Sequence, residues 1–193
     1  MLRRTGRWRW AAGIAAILVA VPVAALVLSP WGAHDGFAYP LMLESVDVDR
    51  SCPEVHRYLG DSSHARDWSV YVDHITPLNA DEVPDGAAGS IRRSFRNADE
   101  SGTRWDEYFE VVEPRRRRLT IYGIHGAPRP AGELLTEQLY QPLGPDACRL
   151  TFTLFLRDEP SLGDRLLLGL ASWEVARIFR ANLGNIKQLV EAG

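Results

Sequence analysis

Few side chains in this 193-residue chain have both the chemistry and the setting to act on another molecule. His125 shares its parity with Leu119, Ile121 and Gly123, so on an extended strand its imidazole would stand on the apolar face, beside Gly123 and Gly126. There it could orient a ligand or move a proton, whereas the plainer placement for a histidine is the exposed end of a strand. Glu107 and Glu137 pose the same question. A carboxylate buried on a strand needs a cation such as Arg93, and structural pairing is the first role to expect of it. Arg115 to Arg118 follow Glu113-Pro114 at an expected hairpin turn, where a charge run solvates the turn or, alternatively, meets an anionic head group.

Sharper signatures are missing. The chain has no G-x-S-x-G nucleophile turn, no H-E-x-x-H, no phosphate-cradling glycine loop and no C-x-x-C pair. His56, His64 and His74 are eight and ten residues apart, which does not bring them onto one helical turn as metal ligands. Neither a metal nor a cofactor is expected, and no residue set announces catalysis.

The elements that must position these groups begin with an N-terminal hydrophobic segment. Residues 1–10 are basic, and Ala11 to Leu28 form an uncharged run of 18 residues, about 27 Å as a helix and close to a bilayer core. Arg3, Arg4, Arg7 and Arg9 precede the run, and the first ionisable residues after it are His34 and Asp35, so the N-terminus is expected in the cytoplasm. Trp8, Trp10 and Trp31 bracket it as interfacial aromatics do. A single-pass anchor with an extracytoplasmic domain is expected; cleavage and secretion is the alternative. Removing the four anchor arginines from 22 basic residues leaves 18 against 25 acidic ones, a net of −7 that argues against a nucleic-acid partner.

After a Gly/Pro/Ala-rich linker, 29–40, the remaining residues 41–193 have the length of one domain. Leu41 to Val48 reads as a strand, and Ser51-Cys52-Pro53-Glu54 as a capped helix start. From Gly89 onward, period-two stretches run Ser90–Asn97, Thr103–Val112, Leu119–Gly126, Glu133–Gln141 and Arg149–Arg157. Short connections make them an antiparallel meander. Ser161 to Glu191 is an amphipathic helix, which an open sheet with one apolar face needs as a cover.

This order is similar to the START/Bet v 1-like superfamily, also called the polyketide cyclase/dehydrase and lipid-transport family, over about residues 41–192. The residues that resemble it are Val46 to Val55, which run a strand into a helix, Asp67-Trp68-Ser69, and Phe179, Asn182, Leu183 and Lys187 near the end of the last helix. The resemblance implies an α+β helix-grip fold, a curved antiparallel sheet wrapped around the long C-terminal helix, here with a separate N-terminal transmembrane helix. It also implies a cavity between sheet and helix for a hydrophobic small molecule. From alternation and position, its candidate liners are Trp105, Phe109, Ile121, His125, Leu135, Phe152 and Leu154 on strands, with Trp68, Tyr71 and Trp173 on helices; plain core packing is the alternative for each. In the resembled fold the first and last strands pair, which would bring Cys52 beside Cys148 as a disulfide. Three functions stay open: carriage of a lipid or polyketide-like molecule at the membrane surface, aromatase/cyclase chemistry, and a filled scaffold for interactions.

Overall fold

A computed structural model describes residues 16–21, 39–126, 133–157 and 161–193. Of the expected membrane segment 11–28, residues 16–21 are helical and exposed; its other residues, the basic N-terminus 1–10 and the linker up to residue 38 lie outside the described residues. Among the described residues no helix is long and apolar enough to cross a membrane.

The domain runs β1 (Tyr39–Val48), α1 (Cys52–Gly60), a 3-10 turn (Ser62–His64), α2 (Ala65–Trp68), β2 (His74–Pro77), β3 (Ile91–Phe95), β4 (Arg104–Glu113), β5 (Arg116–His125), β6 (Leu134–Gly144), β7 (Ala147–Leu156) and α3 (Leu162–Ala192). One curved antiparallel sheet holds all seven strands in the order β1-β7-β6-β5-β4-β3-β2. The meander thus closes by laying the first strand against the last, and α3 covers one face, the arrangement of a helix-grip α+β fold. Strand β2 left no clear trace in the sequence, being four residues long, on the sheet edge and ended by Pro77.

Residues Val48, Leu150 and Phe152 of β1 and β7 pack with Leu183, Ile186 and Val190 of α3 and with Val55 and Leu59 of α1 into the main core. Helix α1 starts where expected: the Glu54 carboxylate accepts from the Ser51 backbone N–H at 3.0 Å, with Pro53 in the first turn, where no backbone donor is lost. The end of α3 is tied to the β1–α1 turn by Lys187 Nζ donating to the Asp47 carbonyl (2.8 Å) and the Asp49 N–H donating to Glu191 (2.7 Å). One turn earlier, Asn182 Oδ1 accepts from the Val70 N–H (2.8 Å), and Asn185 Nδ2 donates to the Trp68 carbonyl (3.0 Å). Two amides of the long helix therefore hold the segment that carries Trp68 and Tyr71.

Cys52 and Cys148 are bonded, joining the first residue of α1 to β7 across 96 positions of sequence, beside the Val48↔Cys148 strand pair. Both sulfurs lie in the main core. A bond closing so long a loop restricts the unfolded chain strongly, so replacing both cysteines by serine is expected to lower the unfolding free energy by about 2–5 kcal/mol. Urea unfolding of the two proteins side by side measures this.

Candidate functional site

Alternation carries the α3-facing, concave side of the sheet from strand to strand. Leu150 pairs with Tyr140, Phe152 with Gln138 and Leu154 with Thr136; Gln138 and Thr136 in turn face Arg117 and Leu119. The same side continues through Phe109 and Glu107 of β4 to Arg92 and Ser94 of β3. Its residues are mostly apolar on β1 and β7, where Glu44, opposite Phe152, pairs with Arg180 of α3 at 2.9 Å, and they turn more polar from β6 toward β3.

Glu107 is the centre of the polar part. Its direct cross-strand partner Arg92 donates Nε to Oε2 at 2.7 Å, while Ser94 Oγ (3.1 Å) and the Trp105 indole N–H (2.8 Å) donate to Oε1. Glu107, Arg92 and Ser94 are all buried, so the carboxylate keeps its charge away from water only because a cation and two further donors meet it. Trp105 is half-buried above this set, with the Tyr71 ring 6.0 Å away and the Arg96 guanidinium 4.6 Å from the centre of the Tyr71 ring. The arrangement offers an aromatic surface backed by a fixed carboxylate.

A second buried group follows on β5 and β6. Arg117 Nη1 donates to Gln138 Oε1 and to the Tyr140 hydroxyl oxygen, both at 3.3 Å, and Nη2 donates to the His56 carbonyl at 3.1 Å. The Tyr140 hydroxyl donates to Gln138 Oε1 at 2.7 Å; full burial pushes its phenol up to about 12, against the lowering effect of Arg117 and Arg92. Burial, reinforced by the Arg117 charge, takes His56 down to about 4, so its ring is neutral at pH 7. The guanidinium carbons of Arg92 and Arg117 stand 4.5 and 5.9 Å from the centre of one ring, that of Phe109.

Of the residues singled out in the sequence, the structure gathers Trp105, Phe109, Ile121, Phe152 and Leu154 on the concave side, with Tyr71 beside Trp105 and Trp68 packed on the main core. Phe152 meets Phe179 edge-on at 5.8 Å, and Leu154 packs with Met42 and Ala176, so these two belong to the sheet–helix packing. Three stand elsewhere. Leu135 is buried with Phe155 in a separate cluster on the opposite side of the sheet, because its cross-strand partners are Thr120 and Phe155. His125 is exposed: Gly123, at φ 60, inserts an extra residue into β5, so His125 pairs with Arg104 and its parity is reversed. Trp173 is 85% exposed, two residues or about 200° of helix away from Val175, which faces the sheet.

The charged residues sort differently as well. Glu107 pairs with Arg92, while Arg93, one position on, turns to the other side and binds Asp106 at 2.7 and 2.9 Å. Glu137 also lies on that other side, accepting from Arg116 (2.9 Å) and Arg118 (2.7 Å). The expected charged turn is only Pro114-Arg115, and Arg116 to Arg118 are already strand. Counting back by twos from Ile121 and Leu119 gives Arg117, so its inward position was available from parity; nothing in the sequence marked Gln138, Tyr140 and His56 as its partners.

Residues 42–191 match the family model described as polyketide cyclase / dehydrase and lipid transport. The chain belongs to this family. No curated protein matches the sequence. Among solved structures, a START superfamily protein from Mycobacterium smegmatis is similar at 17% identity and a TM-score of 0.57, covering 77% of this chain and 97% of its own. The aromatase/cyclase Zhui from Streptomyces sp. R1128 is similar at 14% identity and a TM-score of 0.59, covering 78% and 92%. A norcoclaurine synthase point mutant from Thalictrum is similar at 15% and 0.53, covering 77% and 92%. At these identities the likeness is one of fold, and the family's helix-grip frame is what the chain shares with all three.

Breaking the central pair leaves a buried cation alone. Glu107→Gln is therefore expected to lower stability by about 3–5 kcal/mol, and the apolar double variant Arg92→Met/Glu107→Leu to lose much less. Urea midpoints of the three proteins measure the difference.

Proposed function

We propose that the domain binds a hydrophobic small molecule, lipid-like or polyketide-like, between the concave face of the sheet and α3. Its apolar body would lie against Trp105 and Ile121, and a polar group would reach toward the Glu107 set. The observation that carries this reading is Trp105: a large aromatic left only half-buried on the concave side of the sheet, with its indole N–H committed to a buried, arginine-paired carboxylate. Such a combination of apolar surface and few fixed polar groups is how small-molecule sites orient their ligands. Membership of a family described by polyketide cyclisation and lipid transport supports the same class of ligand.

The proposal includes the membrane. The uncharged run 11–28 behind four arginines would hold the domain at the outer surface, where a disulfide such as Cys52–Cys148 persists. Aromatase/cyclase chemistry is a second reading, supported by the fold shared with Zhui and by polar groups on the concave side. Glu107 is engaged by three donors, which suits a fixed acceptor better than a group that must exchange a proton with substrate.

The test is mass spectrometry of an organic extract of the natively purified full chain, run beside its Trp105→Ala variant and an unrelated single-pass protein purified in the same way. One small molecule near stoichiometry, present in the parent and depleted in the variant, is the expected result. Extracts that match in all three samples would contradict a ligand site at Trp105.

A further inference from the structure

The concave side of β3 does not end with the strand. Ser94 stands opposite Trp105, and beyond them the Arg96 N–H donates to the Thr103 carbonyl at 3.0 Å, so the antiparallel spacing runs one step further. Side chains on one face of a strand repeat every two residues, roughly 7 Å. Arg96 therefore follows Arg92 and Ser94 on the concave side, one row past Trp105, where the β3–β4 hairpin is exposed.

Arg92 is taken by Glu107, whereas Arg96 is exposed and, among the described residues, no carboxylate lies within ion-pair distance of it. Its guanidinium lies over the Tyr71 ring, and Nη1 reaches the Tyr71 hydroxyl oxygen at 3.5 Å, long for a hydrogen bond. The Tyr71 O–H itself has no acceptor among the described residues. Two donors, one of them cationic, thus stand together beside the aromatic surface of Trp105. The backbone holds Tyr71 in place: Ser69 Oγ accepts from the N–H groups of Tyr71 (3.1 Å) and Val72 (2.8 Å), next to the Val70 N–H bound by Asn182. The acids nearest in sequence are turned to other groups, Asp73 to His74 (2.9 Å), Asp99 to Ser101 (2.7 Å) and Glu100 toward His74 (3.8 Å).

We infer that the ligand held against Trp105 and Ile121 is a long-chain monocarboxylate, its carboxylate bound by the Arg96 guanidinium and the Tyr71 hydroxyl. This names the polar end of the ligand proposed above and rests on that reading. A guanidinium presents paired N–H donors that match the two oxygens of a carboxylate, and the phenol adds a further donor. A doubly charged phosphate fits less well, because Asp73, Asp99 and Glu100 lie within four residues of the two donors and repel the second charge. An alcohol of the same chain length keeps the apolar contacts and forgoes the charge-assisted bonds.

The experiment is photolabelling of the full chain, in one mild detergent, with a long-chain fatty acid that carries a mid-chain diazirine, followed by mass mapping of the labelled peptides. Palmitate, hexadecanol and hexadecyl phosphate, which share one chain length, serve as competitors. Label is expected on the peptides that carry Trp105 or Ile121, with palmitate displacing it about fivefold or more better than hexadecanol. Arg96→Gln is expected to bring palmitate down to the level of hexadecanol, and Tyr71→Phe, which keeps the ring over Arg96, to remove part of the difference. Equal displacement by palmitate and hexadecanol in the parent would overturn the inference while leaving a hydrophobic site in place. A preference that either variant leaves whole, or hexadecyl phosphate displacing better than palmitate, would overturn it as well. Label near Trp105 that none of the three displaces would remove the ligand site itself, and this inference with it.

Discussion

An α-helix with its side chains is about 10–12 Å across, whereas six inter-strand spacings of about 4.8 Å spread seven strands over roughly 29 Å before curvature is counted. One helix cannot cover such a face. Helix α3 settles over β1 and β7, where Val48, Leu150, Phe152, Leu183 and Ile186 form a dense core, and the disulfide pins α1 to the same end. From β6 to β3 the concave side lies further from the helix axis and has to be finished by other means. The chain finishes it with α1, with the segment around Tyr71 and with polar side chains that satisfy one another.

That division bears on how charge buried on the concave side is met. An arginine on the concave side of β3 or β5 is too far from bulk water to be solvated and must be met by protein or ligand. Arg92 is met by Glu107, and the bound carboxylate in turn fixes the indole of Trp105 at the edge of the uncovered region. Arg117 is hydrogen-bonded by carbonyl and hydroxyl oxygens, which hold its geometry, and the Asp85 charge acts on it without a direct ion pair. The two guanidiniums share the Phe109 ring but differ in their counter-charge: Arg92 is in a direct ion pair with Glu107, and Arg117 is held by neutral acceptors.

Much of the frame could be read from the chain because it follows from period and punctuation. The Ser51–Glu54 cap and the long amphipathic helix lie where pattern places them, as do the five meander strands apart from the earlier start of β5 at Arg116 and the later end of β6 at Gly144, and the cysteine pairing followed from the strand order of the resembled fold. The site was less legible because parity is a local count and bulges reset it. Gly123 turned His125 outward, and the extra residue at Glu110 brings Val112, not Val111, to the Arg117 side. Arg92 and Arg93 look alike in sequence and face opposite ways; only register against β4 tells them apart. Hydrogen-bond partners drawn from α1, β5 and β6 leave no joint mark in a linear sequence, so the Arg117 set emerged only from the fold.

The central claim is that the uncovered part of the concave side holds a ligand body against Trp105 and Ile121. Anomalous X-ray diffraction from crystals of the full chain loaded with a brominated fatty acid tests it most directly. The account requires a bromine peak on the concave side, in contact with Trp105 or Ile121 and on the α3 side of the sheet. Bromine found only at outward surfaces, with the side chains of α3 packed onto Trp105 in its place, would contradict it.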